Sequence, residues 1–388
     1  MLIVEIIIWL GIGCIVHSYV VYPFLTQYFA RFRESNDLVF SEEELPSVSI
    51  IIPAHNEEQV IRQKLDSILA SHFPLEKIQL FIGADNCKDR TVEIVSSYQS
   101  RFPHMKLVEF QERQGKINIV NQLIQEVENE VIIMTDANVL FEASTIAQLV
   151  KHFKNPKIGL VDSRMEHFGV KETGISMAEN GYISNEVQTK SAEGKIWGAM
   201  MGPFGGCFAF RKSCFEPIPT HFLVDDFYVN MLILQKGFRC INEQNARVFE
   251  DVSNESWIEF KRKIRISAGN FQNLSRFWPM LFRFDGISYA FFSHKFLRWI
   301  LPFFMLFILV GSSFLVREHM AYAILNTLFL LPIALYIPDW LGKKIGVHFK
   351  WLRYILHFTS MNIALFLGFF QFLGGIKSSI WEPTKRLQ

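Results

Sequence analysis

Val131-Ile132-Ile133-Met134-Thr135-Asp136-Ala137-Asn138 runs four apolar residues into a small polar one, then a carboxylate, an alanine and a carboxamide. An apolar run without alternation suits a strand buried on both faces, as in a parallel sheet. An acid at the carboxyl end of such a strand stands where open α/β sheets bind ligands. Asp136 and Asn138 place oxygens two residues apart, within reach of one hard cation, Mg²⁺ or Mn²⁺, which bridges to phosphate. Read alone, Asp136 serves equally well as the N-cap of a helix ahead of Phe141-Glu142-Ala143-Ser144.

The flanking sequence alternates strands and helices. Val48-Ser49-Ile50-Ile51-Ile52 is a predicted strand, followed by a helix with Val60, Ile61, Leu65, Ile68 and Leu69 on one face. Ile78 to Ala84 is a second strand ended by Asp85, Thr91 to Tyr98 a helix, Lys106 to Phe110 a strand, and Lys116 to Glu128 a helix. This β-α-β-α order predicts an α/β domain with a mostly parallel sheet covered by helices, over residues 47–275.

The two ends of the chain are different. Half of the 388 residues are hydrophobic and 38 are Phe, with the excess at the termini. Residues 1–30 read as one transmembrane helix, since a span needs ~20 apolar residues. A basic n-region and a small-residue cleavage site, which a signal peptide needs, are lacking. Arg31 and Arg33 place the following residues in the cytoplasm by the positive-inside tendency. Residues 31–46, rich in Glu, are a linker. Residues 276–296 mix rings (Phe277, Trp278, Tyr289) with Arg276, Arg283 and Lys295, as an interfacial amphipathic helix does. Residues 297–376 hold about three further spans, near 297–315, 321–338 and 352–375. Lys343, Lys344, Lys350 and Arg353 then fall on the cytoplasmic side. The tail, 377–388, carries Lys377, Lys385 and Arg386 to the outside against the same tendency: either one segment is re-entrant or the charges are too few to matter. The net charge of +1 implies no bulk attraction to nucleic acid. Five scattered cysteines without a CxxC pair suggest neither a disulfide framework nor zinc.

Acids collect at the ends of strands: Glu57, Asp85, Asp136 and Asp225-Asp226, with Glu250-Asp251 a further pair. Acids at one sheet edge suit a ligand that is held through metal, ribose or base. No GxGxxG or GxxxxGK[ST] loop is present, so Lys116, after Arg113-Gln114-Gly115, is the candidate counter-charge.

Several segments in order resemble the family 2 inverting glycosyltransferases. Ile51-Ile52-Pro53-Ala54-His55-Asn56-Glu57-Glu58 resembles the family's opening signature. Asp85-Asn86-Cys87-Lys88-Asp89-Arg90-Thr91 is similar to its DxSxDxT turn, and Arg113-Gln114-Gly115-Lys116 to its RxGK element. Asp136-Ala137-Asn138 resembles its DxD metal motif, with Asn138 for the second acid. Gly205-Gly206-Cys207-Phe208 resembles the acceptor-side Gly-rich strand, and Asp225-Asp226-Phe227 the catalytic acidic motif. Ser293 to Trp299 is similar to the entry to the membrane region of membrane-bound members. The resemblance spans about residues 47–300.

It implies a GT-A fold and an inverting hexosyltransferase in the bacterial inner membrane, its catalytic domain cytoplasmic. Asp226 would be the general base, with Asp225 raising its pKa or orienting the acceptor. Ala54, Glu57 and Asp85 would line the nucleoside pocket. Lys116, Arg262 and Arg265 would face the diphosphate, and Asp136 with Asn138 would hold Mg²⁺ or Mn²⁺. Gly205 and Gly206 would lie on the acceptor side. The implied partners are a nucleotide sugar, with UDP as the first choice of carrier, a lipid-linked or glycan acceptor, and membrane lipids. Processive synthases carry QxxRW where this chain has Arg262 to Ile266, and Ile266 replaces the Trp. With few spans, this favours single addition over a processive synthase. A non-catalytic scaffold would require a degraded acidic motif, whereas Asp225-Asp226 is intact.

Overall fold

Val48–Ala54 (β1) and Val131–Thr135 (β4) are buried almost throughout, as their mainly apolar sequences require. The computed structural model describes residues 1–34, 36–168, 176–251, 256–344, 350–376 and 378; of the tail charges, Lys377, Lys385 and Arg386 lie outside them. The other strands are Ile78–Asp85 (β2), His104–Phe110 (β3), Leu140–Phe141 (β5), Ile158–Phe168 (β6), Cys207–Arg211 (β7) and Arg239–Asp251 (β8). They form one sheet in the order β3-β2-β1-β4-β7-β6-β8-β5. β1, β2, β3 and β4 pair in parallel, as do β6 and β8. β7 runs antiparallel to both β4 and β6, and β5 antiparallel to β8. The sheet is therefore mixed, with parallel pairs in the majority.

This topology builds the site. The carboxyl ends of β1, β2 and β4 finish at one edge, carrying Ala54, Asp85 and Asp136 there. Because β7 is antiparallel to β4, with Cys207 opposite Thr135, the start of β7 lies beside the end of β4. Gly205 and Gly206 thus arrive next to Asp136. The Asp136 N–H donates to the Gly206 carbonyl at 3.0 Å, which extends the ladder by one bond.

The chain divides into two units: Phe29–Gly169 with Val187–Val252 holds the sheet, and Met1–Tyr28, Val170–Glu186 and Ser253–Gly375 form the other. Among the described residues four helices, in the second unit but for Phe29 and Ala30, are long and apolar enough to cross a membrane: Leu2–Ala30, Gly286–Leu315, Met320–Gly342 and Tyr354–Leu373. Ile8 and Ile308 are fully buried between them. Gly311 lets the first two approach closely, since a Cβ there would come within 3.1 Å of Val4. The segment 276–296 divides at Asp285, which caps Gly286–Ala290 through the Ser288 N–H at 2.9 Å. From Gly286 onward it is the beginning of a membrane-length helix. The basic, amphipathic helix is instead Ser256–Phe277, which packs on Lys350–Leu373 through Phe271 against Phe369 and a 2.9 Å bond from the Ser267 hydroxyl to the Leu365 carbonyl.

A charged cluster centred on Glu186 is buried in this unit. Glu186 accepts from Arg298 Nη1 and Lys295 Nζ at 2.7 Å each, with His294 Nε2 at 2.9 Å. Burial pushes the Glu186 carboxyl up, but His294, Lys295 and Arg298 around it outweigh burial and hold it well below the usual range. Removing one member of a buried charged set leaves the others desolvated and unpaired. Glu186→Gln is expected to cost about 3 kcal/mol, read as a fall in the unfolding midpoint of the detergent-solubilised chain.

Candidate active site

The turn after β1 is laced to the turn after β2. Asn56 adopts φ 53°, a left-handed conformation that asparagine tolerates better than most residues. Its Oδ1 accepts the Lys88 N–H at 2.8 Å. The Glu57 N–H donates to Thr91 Oγ1 at 2.8 Å and the Glu58 N–H to Asp89 Oδ2 at 3.0 Å. Asp89 also accepts from the Thr91 hydroxyl at 2.6 Å. Ala54 is buried at the end of β1, beneath this lacing.

Asp85 ends β2 and spends its carboxylate on the next loop. It accepts the N–H groups of Gln114 and Gly115 at 2.6 and 2.9 Å, with Arg113 Nε 3.3 Å away. Gly115 has φ 82°, a conformation that a side chain would resist, and it opens the helix Lys116–Glu126. The role of Asp85 is therefore to hold the loop that aims Lys116.

Lys116 gathers the acids. Its ammonium lies 3.0 Å from Asp136 Oδ1 and 3.3 Å from Asp225 Oδ2. Burial pulls its pKa down, but Asp136 and Asp225 outweigh burial and hold it above the ordinary lysine value. Asp136, about a third exposed, faces outward from the sheet edge. Asn138 is buried and donates through Nδ2 to Glu250 Oε1 at 2.9 Å. Asp136 caps no helix: the helix that follows is Thr145–Val150, preceded by Ser144.

Asp225 and Asp226 occupy the first turn of the helix Asp225–Gln235, where the macrodipole favours negative charge. Burial first, then the neighbouring Asp225 charge, raises the Asp226 carboxyl to about 6, with Lys116 pulling the other way. Gly205, at φ 87°, packs against this acid, and a Cβ there would meet Asp226 Oδ2 at 2.8 Å. The geometry thus brings together Lys116, Asp136, Gly205, Gly206, Asp225 and Asp226. Arg262 and Arg265 belong to the other unit, in the helix Ser256–Phe277, where Arg262 Nη1 stands 3.3 Å from Glu259.

Three side chains of the site were not singled out by sequence. Lys64 lies fully buried beneath the end of β4; its signal was a lysine on the apolar face of an amphipathic helix, between Ile61 and Leu65. Asp162 is fully buried on β6, and burial raises its carboxyl to about 7. Lys190 places its ammonium 3.7 Å from the ring centre of Phe204. Nothing in the local pattern around Asp162 or Lys190 distinguishes them from surface residues.

This arrangement can hold a polyanion at Lys116 and take a proton at Asp226. Residues 49–218 match the family model described as Glycosyl transferase family 2. The probable glycosyltransferase YdaM of Bacillus subtilis is 26% identical over 251 residues, 62% of this chain and 59% of that protein. The poly-beta-1,6-N-acetyl-D-glucosamine synthase of Staphylococcus epidermidis is 23% identical over 252 residues, 63% and 60% of the two chains. The chain thus spans about 60% of the length of these relatives. Among solved structures, the mannosyltransferase PcManGT from Pyrobaculum calidifontis, in complex with GDP-Man and Mn²⁺, is similar with a TM-score of 0.71 at 21% identity, over 95% of this chain and 99% of that one. That likeness concerns the fold, and it agrees with the GT-A type expected from the sequence. Over residues 49–218 the chain is thus similar to the family 2 glycosyltransferases, and its mixed sheet has the GT-A-type fold.

Proposed function

We propose that the chain is a membrane-anchored inverting glycosyltransferase. It moves one sugar from a nucleotide-sugar donor to a membrane-associated acceptor, a lipid-linked or glycan hydroxyl. The observation that carries this reading is Lys116, which bridges Asp136 and Asp225. A cation between the two acids supports a donor diphosphate bound there, beside the acceptor-side carboxylates. Asp226, raised to about 6, is the base that takes the acceptor hydroxyl proton as that oxygen attacks the anomeric carbon and the nucleoside diphosphate departs. Lys116 meets the negative charge that develops on the diphosphate.

A divalent ion fits this site as one shared with the donor. Among the described residues no group of three His, Cys, Asp or Glu could hold an ion alone. Mg²⁺ and Mn²⁺, however, bind through one or two carboxylates and complete their shells with phosphate oxygens and water. Asp136 supplies the carboxylate. Asn138 gives its Nδ2 to Glu250 and offers at most its Oδ1. When bound, the ion would neutralise charge on the leaving diphosphate. The presence of GDP-Man and Mn²⁺ in PcManGT supports a nucleotide sugar with a metal and makes GDP as strong a carrier candidate as UDP. The four membrane-length helices and the basic pair Arg31 and Arg33 support a cytoplasmic domain at a bacterial plasma membrane.

The similarity to a poly-N-acetylglucosamine synthase favours a second reading, processive polymerisation. Membranes holding the chain, incubated with labelled UDP- and GDP-sugars, separate the two. A short, lipid-extractable product supports single addition, and a high-mass polymer supports the second reading. Failure to transfer or hydrolyse any nucleotide sugar overturns both. In the same preparation Asp136→Ala is expected to weaken Mn²⁺-dependent nucleotide binding by roughly 10-fold or more. Binding that is equal with and without the metal in both proteins removes Asp136 from that role.

A further inference from the structure

Lys64 is a costly residue for its place. Its amine is fully buried, and taking an ammonium out of water costs several kcal/mol. Among the described residues no carboxylate pairs with it. Burial pulls the amine down to about 7, against the opposite pull of Cys207 and Asp136. An apolar side chain on this face of Ile61–Leu69, beside Ile61, Leu65 and Ile68, would be the cheaper choice for packing alone.

The bonds the amine makes have a pattern. Nζ donates to Thr135 Oγ1 at 2.9 Å and to the Val139 carbonyl at 2.5 Å, and it lies 3.5 Å from the ring centre of Phe141. The first two contacts bracket the turn Asp136-Ala137-Asn138 on both sides. Thr135 carries the link onward, for its hydroxyl donates to the Gly206 carbonyl at 3.0 Å, the acceptor also used by the Asp136 N–H. Gly205, one residue before, packs on Asp226. One buried ammonium thus clasps both ends of the donor-side turn and joins it to the strand that meets the acceptor-side acid.

We infer that Lys64 is a positioning residue that fixes the turn 136–138 in the shape in which Asp136 faces a nucleoside diphosphate. This rests on the function proposed above. It assigns Lys64 no contact with donor or acceptor; it acts through Thr135 and Val139. Groups that hold first-contact ligands in place are commonly worth 10–100-fold in affinity or activity.

The test uses the full chain in lipid nanodiscs, as wild type, Lys64→Met and Thr135→Val. Three readouts are taken: hydrogen exchange over residues 135–142 without nucleotide, the thermal midpoint, and titration with UDP and with GDP in Mn²⁺. Lys64→Met is expected to speed exchange over 135–142 and to weaken the better-bound nucleotide about 10-fold. Its midpoint should stay level or rise, because an apolar chain of similar length removes a desolvated charge. A purely structural lysine predicts the reverse, a lower midpoint with affinity intact, and that result overturns the assignment. Unchanged exchange over 135–142 overturns it as well. If wild type binds neither nucleotide, the proposed function fails, while the exchange data still decide whether Lys64 clasps the turn. If Lys64→Met does not fold, Thr135→Val breaks the same link with the lysine retained and is held to the same exchange and affinity outcomes.

Discussion

Asp226→Asn is expected to fold, to bind nucleoside diphosphate as wild type does, and to lose turnover by about 10²–10⁴-fold, the usual worth of a positioned base. The carboxamide keeps the shape and the helix-start position but cannot accept the acceptor's proton. Its surroundings argue against a folding defect: Gly205 leaves open the space beside Oδ2 that a Cβ would fill, and an amide nitrogen is nearly the same size as the oxygen it replaces. The pH profile sharpens the prediction. A base works only when ionised, and burial with the Asp225 charge places the Asp226 carboxyl at about 6. Wild-type kcat/KM should therefore be level above that pH and fall about tenfold per unit below it. The residual activity of Asp226→Asn should lack this limb. A variant with near-normal turnover, or one that keeps the limb at the same pH, would remove Asp226 from the role of base and direct attention to Asp225.

How far the sequence led depended on where the physical information was local. The parallel half of the sheet was legible because β1, β2 and β4 are mainly apolar runs that suit burial on both faces, and β2 and β4 run into acids at their carboxyl ends. Val131–Thr135 is found where its pattern places it. The rest of the sheet was less legible: β6 and β8 mix polar and apolar residues, and the pairing of β6, β7 and β8 is a long-range property. Only the family resemblance singled out Gly205-Gly206, and only the register of Cys207 opposite Thr135 brings that pair to Asp136. Asp85 shows a different limit. Its position at a strand end was evident, but its carboxylate is turned to the backbone of Gln114 and Gly115, which a sequence pattern does not encode. Buried Lys64 and Asp162 were missed because a charged residue reads as exposed until its surroundings are known. Lys64 alone offered a clue, standing in phase with the apolar stripe of its helix. The segment 276–296 shows a similar limit. Rings and basic residues near 276–296 suggested an interfacial helix, yet Asp285 caps a new helix that continues without a break into a membrane-length one.

Lys116→Met is the companion to Asp226→Asn and separates charge from proton transfer. The lysine is held between Asp136 and Asp225 at the end of a loop whose shape Asp85 fixes, so the variant keeps the loop and loses only the cation. Loss of one preorganised group facing charge that develops in the transition state costs about 10²–10³-fold in kcat. A second effect follows from the same electrostatics. Lys116 is among the groups that pull the Asp226 carboxyl down, against burial and Asp225. Without it the acid limb of kcat/KM should move to higher pH, because the charged form of Asp226 loses its nearby cation. Asp226→Asn should abolish the limb; Lys116→Met should shift it upward and reduce the plateau. In the double variant the losses should be less than additive if both act on one transition state, as residues that work as a unit do. A Lys116→Met enzyme with the wild-type plateau and an unmoved limb would mean that the ammonium serves only to neutralise Asp136 and Asp225 in the resting protein. The counter-charge for the diphosphate would then have to come from the metal ion or from another cation.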